Sequence, residues 1–319
     1  MSNRNFHRAR KQKKDEFYTQ LSDIEKELKH YKKHFKDQVV YCNCDDPSVS
    51  NFFRYFSLNF EKLGLKKLIT TCYRSQQMDL FSQGGTEKAI CLEYTGDKNG
   101  NRIPDPEEIG IRYLEGDGNF RSEECVDLLK QADIVVTNPP FSLFREYVAQ
   151  MVKHEKKFLI IGNQNAITYK EIFRLIKEDK IWLGHNCNKT MRFKVPDDYV
   201  TDDEGFANVP AISWFTNLPT KRRTENLILY KRYYGYEDEY PKYDNYDAIE
   251  VSRVKNIPMD YEGVMGVPIT FLEKYNPEQF EILGLDDHRL IYPNWRGRGP
   301  DLNGKGIYRR IIIQNERLG

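Results

Sequence analysis

The chain has 319 residues, 39% of them hydrophobic, 13% aromatic and 30% charged, with a formal net charge of +1. That composition excludes a disordered chain and predicts a soluble globular protein of roughly two domains. No apolar run nears the roughly 20 residues that span a bilayer, and no apolar segment follows the basic start of the chain, so neither a membrane helix nor a secretory signal is expected and the location is read as cytoplasmic.

In chain order, Leu21, Ile24, Leu28, Tyr31 and Phe35 recur every three or four residues and predict an amphipathic helix over 21–35. A β-prone run at 39–41, a turn at 45–48, a helical pattern over 49–60 and a strand at 66–72 follow, the succession of a βαβ unit. Residues 74–108 are rich in Gly, Asn and Pro and read as an irregular or hairpin insertion. The pattern resumes with a strand at 111–114, a turn at Gly116-Asp117-Gly118, and a helix over 122–131 capped by Ser122. An apolar strand at 133–137 stops at Asn138-Pro139-Pro140, where two prolines end any ladder. A helix at 143–152, a strand at 157–161 and a helix at 168–177 complete an alternation that builds a parallel, buried sheet. Ligands of such sheets bind past the carboxyl ends of the strands, so the loops holding Asp45, Asp117 and Asn138 are expected to converge on one crevice. Beyond residue 185 the helical rhythm fades. Residues 211–216 and 227–230 are strand-like, 233–246 is tyrosine-rich, 276–283 suggests a helix opened by Asn276-Pro277, and 307–313 suggests a last strand.

Six cysteines at 42, 44, 72, 91, 125 and 187 form no CxxC pair, which favours reduced thiols. Cys42, Cys44, His185 and Cys187 lack the paired spacing of a structural zinc site, and no metal is expected.

The most informative tetrapeptide is Asn138-Pro139-Pro140-Phe141. The amino nitrogen of adenine or cytosine is a poor nucleophile because its lone pair is delocalised into the ring, so an enzyme that alkylates it must localise that pair in the transition state. Two acceptors aimed at the two N–H bonds would do so: the Asn138 side-chain oxygen and the Pro139 carbonyl, the latter held by the fixed φ of the prolines. Phe141 would stack on a base flipped out of its duplex. The alternative is a plain Pro-Pro turn with Phe141 in the core. Asp45 and Asp46 could likewise cap a helix, and Asp117 could serve the turn alone.

These residues resemble a known family. Asn138-Pro139-Pro140-Phe141 is the motif of S-adenosylmethionine-dependent amino-nucleobase methyltransferases, and the wider chain resembles the EcoRI-type DNA adenine-N6 methyltransferases. The matching segments include Asp15-Glu-Phe-Tyr-Thr-Gln20, Val40-Tyr-Cys-Asn-Cys-Asp-Asp-Pro47, residues 133–147, Pro241-Lys-Tyr-Asp-Asn-Tyr-Asp-Ala-Ile249 and Gly263-Val-Met-Gly-Val-Pro-Ile-Thr-Phe-Leu272. The resemblance implies an α/β class I methyltransferase fold, a Rossmann-like, mostly parallel sheet with helices on both faces, followed by a target-recognition region. The implied organisation is a basic arm and cofactor-packing segment at 1–20, a catalytic core at 21–217 and target recognition at 218–319.

The resemblance also implies S-adenosylmethionine as cofactor, with Phe17, Tyr18 and Thr19 packing on it. Asn43, Asp45 and Asp46 would form the first-strand cofactor loop, and Asp117 would lie near the cofactor's adenine, which Phe17 or Phe120 could sandwich. The chain departs from the general superfamily in lacking a glycine-rich first loop and an acid after the second strand. Double-stranded DNA is the implied partner of a monomeric enzyme, with GAATTC as the suggested site. Charge agrees: residues 1–36 carry 11 basic and 5 acidic side chains (net +6), residues 288–319 carry 7 and 2 (net +5), and 37–287 is left at −10. Arg4, Arg8, Arg10, Lys11, Lys13 and Lys14 at one end and Arg296 and Arg298 at the other are the expected phosphate contacts, or else solvated termini. The competing functions are an RNA adenine-N6 methyltransferase and a non-catalytic nucleic-acid-binding protein on the same fold.

Overall fold

The computed structural model describes residues 18–44, 50–71, 89–101, 104–105, 107–195, 201–285 and 301–316. The chain divides into two compact units, Met1–Ala166 with Gly184–Leu218, and Ile167–Leu183 with Pro219–Gly319. Residues 167–183, read from sequence as core, thus group with the second unit.

In the first unit, the described elements are β1 (Tyr18–Thr19), α1 (Leu21–Leu28), β2 (Val39–Cys42), α2 (Asn51–Leu58), α3 (Phe60–Leu63), β3 (Lys67–Thr71), β4 (Ile90–Tyr94), β5 (Ile109–Tyr113), α4 (Glu123–Gln131), β6 (Ile134–Thr137), α5 (Phe144–Lys153), β7 (Lys157–Asn163), β9 (Lys189–Lys194) and β10 (Phe206–Thr216). In the second are α6 (Lys170–Lys177), β8 (Trp182–Leu183), β11 (Ile249–Glu250), β12 (Met265–Pro268), β13 (Phe280–Leu285), β14 (Asp301–Leu302), β15 (Lys305–Gly306) and β16 (Arg310–Asn315).

The sheet of the first unit runs β1-β9-β10-β7-β6-β2-β3-β4-β5. Its centre, β7-β6-β2-β3, is parallel, with Val40 beside Ile134, Val135 beside Phe158 and Val40 beside Leu68. Every residue of β2 and β6 is buried, as expected of Val- and Ile-rich runs covered on both faces. The neighbours at each side are antiparallel, so the sheet is mixed.

The strand expected at 111–114 is β5. It enters as the outer strand of an antiparallel hairpin with β4, not through a further crossover. Among the described residues of the connection there is no helix, and a parallel pair needs a crossover, usually a helix. As an edge strand it leaves Ile111 59% and Tyr113 55% exposed.

Asp133 fastens the middle of the sheet: its Oδ2 accepts the Val39 N–H at 2.8 Å and its own N–H donates to the Val39 carbonyl at 2.9 Å. Ser50 caps α2 by accepting from Phe52 N at 3.2 Å and Phe53 N at 3.4 Å, and Ser122 caps α4 through Cys125 N at 3.3 Å. The helix expected over 21–35 ends at Leu28 and continues as a 3₁₀ turn, yet Tyr31 and Phe35 remain fully buried. There Glu27 accepts from Tyr31 Oη at 3.0 Å, from the N–H of His185 and Asn186, each at 2.7 Å, and from Asn186 Nδ2 at 2.8 Å.

In the second unit a sheet runs β11-β12-β16-β13 beside the hairpin β14–β15. The helix expected over 276–283 is instead a turn and strand β13. Asn276 Oδ1 accepts the Glu278 N–H at 2.9 Å, and the alternating Phe280 and Ile282 are buried while β13 pairs with β16. Residues 227–230 form no strand, and Ile228 is 86% exposed. Among the described residues no helix is long and apolar enough to cross a membrane.

Candidate active site

Because β2, β6 and β7 are parallel, Asn43, Asn138 and Gln164 leave their strands at the same side of the sheet. Asn43 is 3% exposed and held twice: its Oδ1 accepts the Tyr147 hydroxyl and its carbonyl accepts the Thr137 hydroxyl. One residue thereby ties β2, the last residue of β6 and helix α5. Burial pushes the Tyr147 hydroxyl far above the usual tyrosine range, so it stays a donor across the working pH. The chain then turns at Cys44, whose φ is 71°, in the left-handed region. Glycine would adopt that φ without strain; a cysteine does so at about 1–2 kcal/mol.

Asn138 is 5% exposed and Pro139 is also buried, while Pro140 is half-buried with φ −54° and ψ 125°. The Pro140 carbonyl accepts the Leu143 N–H at 3.0 Å and opens a 3₁₀ turn, Phe141–Leu143, that runs into α5. Phe141 is half-buried and packs against the hydrophobic core. Phe144 lies over β7 so closely that a Cβ on Gly162 would stand 2.5 Å from its Cε2. That close approach sets α5 against the strand and with it the start of the Pro-Pro turn.

Tyr18 and Thr19 form β1. The Thr19 carbonyl accepts from Asn51 Nδ2 at 2.8 Å, which binds this segment to the first turn of α2. Phe120 is 6% exposed, its ring edge-on to Tyr147 at 5.1 Å, with the Arg121 guanidinium 4.8 Å from its centroid and its carbonyl accepting from Gln150 Nε2 at 2.9 Å. Arg121 in turn pairs with Glu146 of α5. The loop after the edge strand β5 therefore returns to α5 beside Tyr147. Asp117 is exposed, and its Oδ1 accepts the Asn119 N–H at 3.0 Å, closing the turn before Phe120. Phe17, Asp45, Asp46, the six basic residues of the arm, Arg296 and Arg298 lie outside the described residues.

The structure thus brings together Asn43, Asn138 and Phe120 through Thr137 and Tyr147, two residues that sequence reasoning passed over. It also adds buried polar atoms without a hydrogen-bond partner: Thr19 Oγ1, Thr70 Oγ1 and both side-chain polar atoms of Gln164. Thr70 stands beside Cys42 in register, and Gln164, 3% exposed, directly follows β7. Each such group costs about 1–3 kcal/mol when left unmet. Only Gln164 had a legible signal, a polar residue just past an apolar parallel strand. Thr137 and Tyr147 sit within an apolar strand and an amphipathic helix that read as ordinary core.

The family model for the adenine-specific methyltransferase EcoRI matches residues 5–316. Type II methyltransferase M.EcoRI of Escherichia coli is 50% identical, over 99% of this chain and 98% of its own length. Type II methyltransferase M.MpnI of Mycoplasma pneumoniae is 42% identical over 98% of each chain. M.MgeORF184P of Mycoplasma genitalium, likewise a type II methyltransferase, is 38% identical over 98% of this chain and 99% of its own. No solved structure matches the chain.

Proposed function

Because this chain belongs to the EcoRI family of adenine-specific methyltransferases and is a site-specific DNA adenine methyltransferase, we propose that its reaction takes place at the strand ends of the first unit, on Asn138, Pro139, Pro140 and Phe141. The observation that carries this reading is the buried Asn138, just past the central strand β6 and between Thr137, which is bonded to Asn43, and a rigid Pro-Pro turn. In the reaction the Asn138 side-chain oxygen and the Pro139 carbonyl accept the two N–H bonds of the adenine amine and localise its lone pair. Pro140 fixes the carbonyl's direction, and the half-buried Phe141 offers a ring face to the extruded base.

S-adenosylmethionine supplies an electrophilic methyl group on a sulfonium. The residues present fit it: unmet polar atoms on Thr19, Thr70 and Gln164 suit its charged amino-acid and ribose ends, and Asn43 is held by Tyr147 and Thr137. Tyr18, Thr19, Asn43 and Phe120 bind it in this reading, with Phe17, Asp45 and Asp46 joining them as the family resemblance implies. Asp117, which also closes the turn before Phe120, lies near the cofactor's adenine in this reading. The six basic residues of the arm, with Arg296 and Arg298, contact DNA phosphates. The relatives are named type II methyltransferases, which favours DNA over RNA as substrate.

The test is transfer of a labelled methyl group from S-adenosylmethionine to duplex DNA and to RNA, followed by mapping of the modified adenines, with GAATTC the expected position. Asn138→Ala should abolish transfer to DNA while cofactor binding persists, because the missing acceptor acts on the target amine alone. Equal loss of cofactor affinity and rate in that variant, or preferential methylation of RNA, would refute the reading.

A further inference from the structure

The connection between β4 and β5 carries a pattern of oxygen donors for which methyl transfer has no use. It reads Asp97-Lys-Asn99-Gly-Asn101-Arg-Ile-Pro-Asp105-Pro-Glu-Glu108, with Asp, Asn, Asn, Asp and Glu at positions 1, 3, 5, 9 and 12 of a twelve-residue loop. This is the spacing of an EF-hand calcium loop, in which the side chains at 1, 3 and 5 ligate, the ninth acts through water and the glutamate at 12 binds with both oxygens. Two departures are plain. Strands flank the loop instead of helices, and glycine stands at the fourth position, Gly100 with φ 80°, while the sixth is Arg102. Arg102, Ile103 and Pro106 lie outside the described residues and carry no part of the argument.

The described residues fold around the donor set. Asp97 Oδ1 accepts the Gly100 N–H at 2.7 Å, and Asn99 Oδ1 accepts the Asn101 N–H at 3.0 Å. Asp105 Oδ2 accepts from Asn99 Nδ2 at 2.6 Å and Asn101 Nδ2 at 3.3 Å. Glu108 turns back across the loop: its Oε1 accepts the N–H of Lys98 at 2.6 Å and of Asn99 at 3.1 Å. Its second oxygen, Oε2, is buried with no hydrogen-bond partner, on a residue only 6% exposed. A carboxylate oxygen shut from water without a donor is expensive, and a cation is the partner that suits it. The neighbouring Tyr94 hydroxyl registers the same excess of negative charge. It is pushed up to about 12 by burial and by Glu108, Asp97, Glu61 and Asp105.

We propose that Asp97, Asn99, Asn101, Asp105 and Glu108 form a Ca²⁺ site that fastens the β4–β5 hairpin at the edge of the sheet. Among the described residues no three His, Cys, Asp or Glu side chains are gathered closely enough to form a metal cluster by themselves. Asp105, at the ninth position, therefore acts through water, and the direct ligands are the Asp97 and Glu108 carboxylates with the Asn99 and Asn101 amides, which donate to Asp105 and turn on binding so that their oxygens face the ion. A loop with this many oxygen donors suits Ca²⁺ over Mg²⁺, which keeps its waters and demands octahedral geometry. The expectation of a metal-free chain came from cysteine and histidine spacing, which says nothing of oxygen ligands.

The test uses the full chain, stripped with EDTA and then freed of chelator, in calorimetric titration and thermal melting with CaCl₂ and, in parallel, MgCl₂. One Ca²⁺ should bind, and Tm should rise by about 2–4 °C for each tenfold increase beyond half-saturation, with Mg²⁺ far weaker. Glu108→Gln and Asp97→Asn should each weaken Ca²⁺ binding at least tenfold. In EDTA, Glu108→Gln should melt no lower than the native chain, since it neutralises an oxygen that lacks a donor; a merely structural carboxylate predicts the reverse. The proposal is overturned by the absence of binding heat and of any Tm shift up to ~5 mM Ca²⁺, by Mg²⁺ acting equally, or by both variants responding as the native chain does.

Discussion

Tyr147→Phe tests whether Asn43 is a working part of the cofactor site. Tyr147 is fully buried and its hydroxyl donates to Asn43 Oδ1, while the other acceptor of Asn43, its carbonyl, is already taken by Thr137. The substitution keeps the ring that packs on Phe120 and removes only the donor, so it makes little cavity. A buried carbonyl oxygen left without a donor costs about 1–3 kcal/mol, and each kcal/mol lowers Tm by about 2–4 °C in a domain of this size. Released from that bond, the Asn43 side chain must be ordered again when cofactor binds, so part of the cost reappears as weaker binding; 1–2 kcal/mol is roughly 5–30-fold. Melting with and without S-adenosylmethionine, beside steady-state rates, should show a lowered Tm and a KM for cofactor raised by about fivefold or more, with kcat less affected. Thr137→Val combined with it should be non-additive, because both hydroxyls hold one residue. A lowered Tm with unchanged KM for the cofactor would show that the Asn43 bonds serve folding alone and would remove Asn43 from the site.

Phe141→Trp should keep appreciable activity, whereas Phe141→Ala should lose roughly 1–3 kcal/mol of stabilisation of the flipped base with little change in Tm. A fall of about 3–5 kcal/mol in folding stability with an unchanged 2-aminopurine flipping signal would make the ring plain core. Gly162→Ala should destabilise by about 1–3 kcal/mol through overpacking against Phe144 and depress the methylation rate by shifting α5; wild-type melting and rate would refute the close approach. Removing residues 1–14 deletes six basic and no acidic side chains, and every DNA phosphate that the arm no longer neutralises should reduce the log–log salt slope of binding by about 0.9. An unaltered slope would leave the arm as a solvated tail.

The sequence by itself determined most about the parallel centre of the first unit. Runs such as 39–41, 133–137 and 157–161 are apolar without alternation because both faces are covered, and the two prolines after Asn138 end a ladder wherever they stand. The place of Asn138 and Phe141 after a strand was legible for the same reason, and the role proposed for them rests on residue types and on that place. The tertiary structure decided what depends on partners distant in the chain. Residues 111–114 carry the same local signal in a crossover or a hairpin, and only their pairing with β4 made them an antiparallel edge. Asn276-Pro277 opens a helix or a turn with equal ease, and pairing of β13 with β16 drew residues 280–285 into a strand. Thr137 and Tyr147 read as core from their neighbours in sequence; their role exists only because Asn43, 94 residues from one and 104 from the other, ends its strand where both hydroxyls reach it. Hydrogen bonds across such separations leave no periodicity in the chain, because they are chosen by which strands lie side by side, and that is settled by the burial of the whole sheet and not by any one segment.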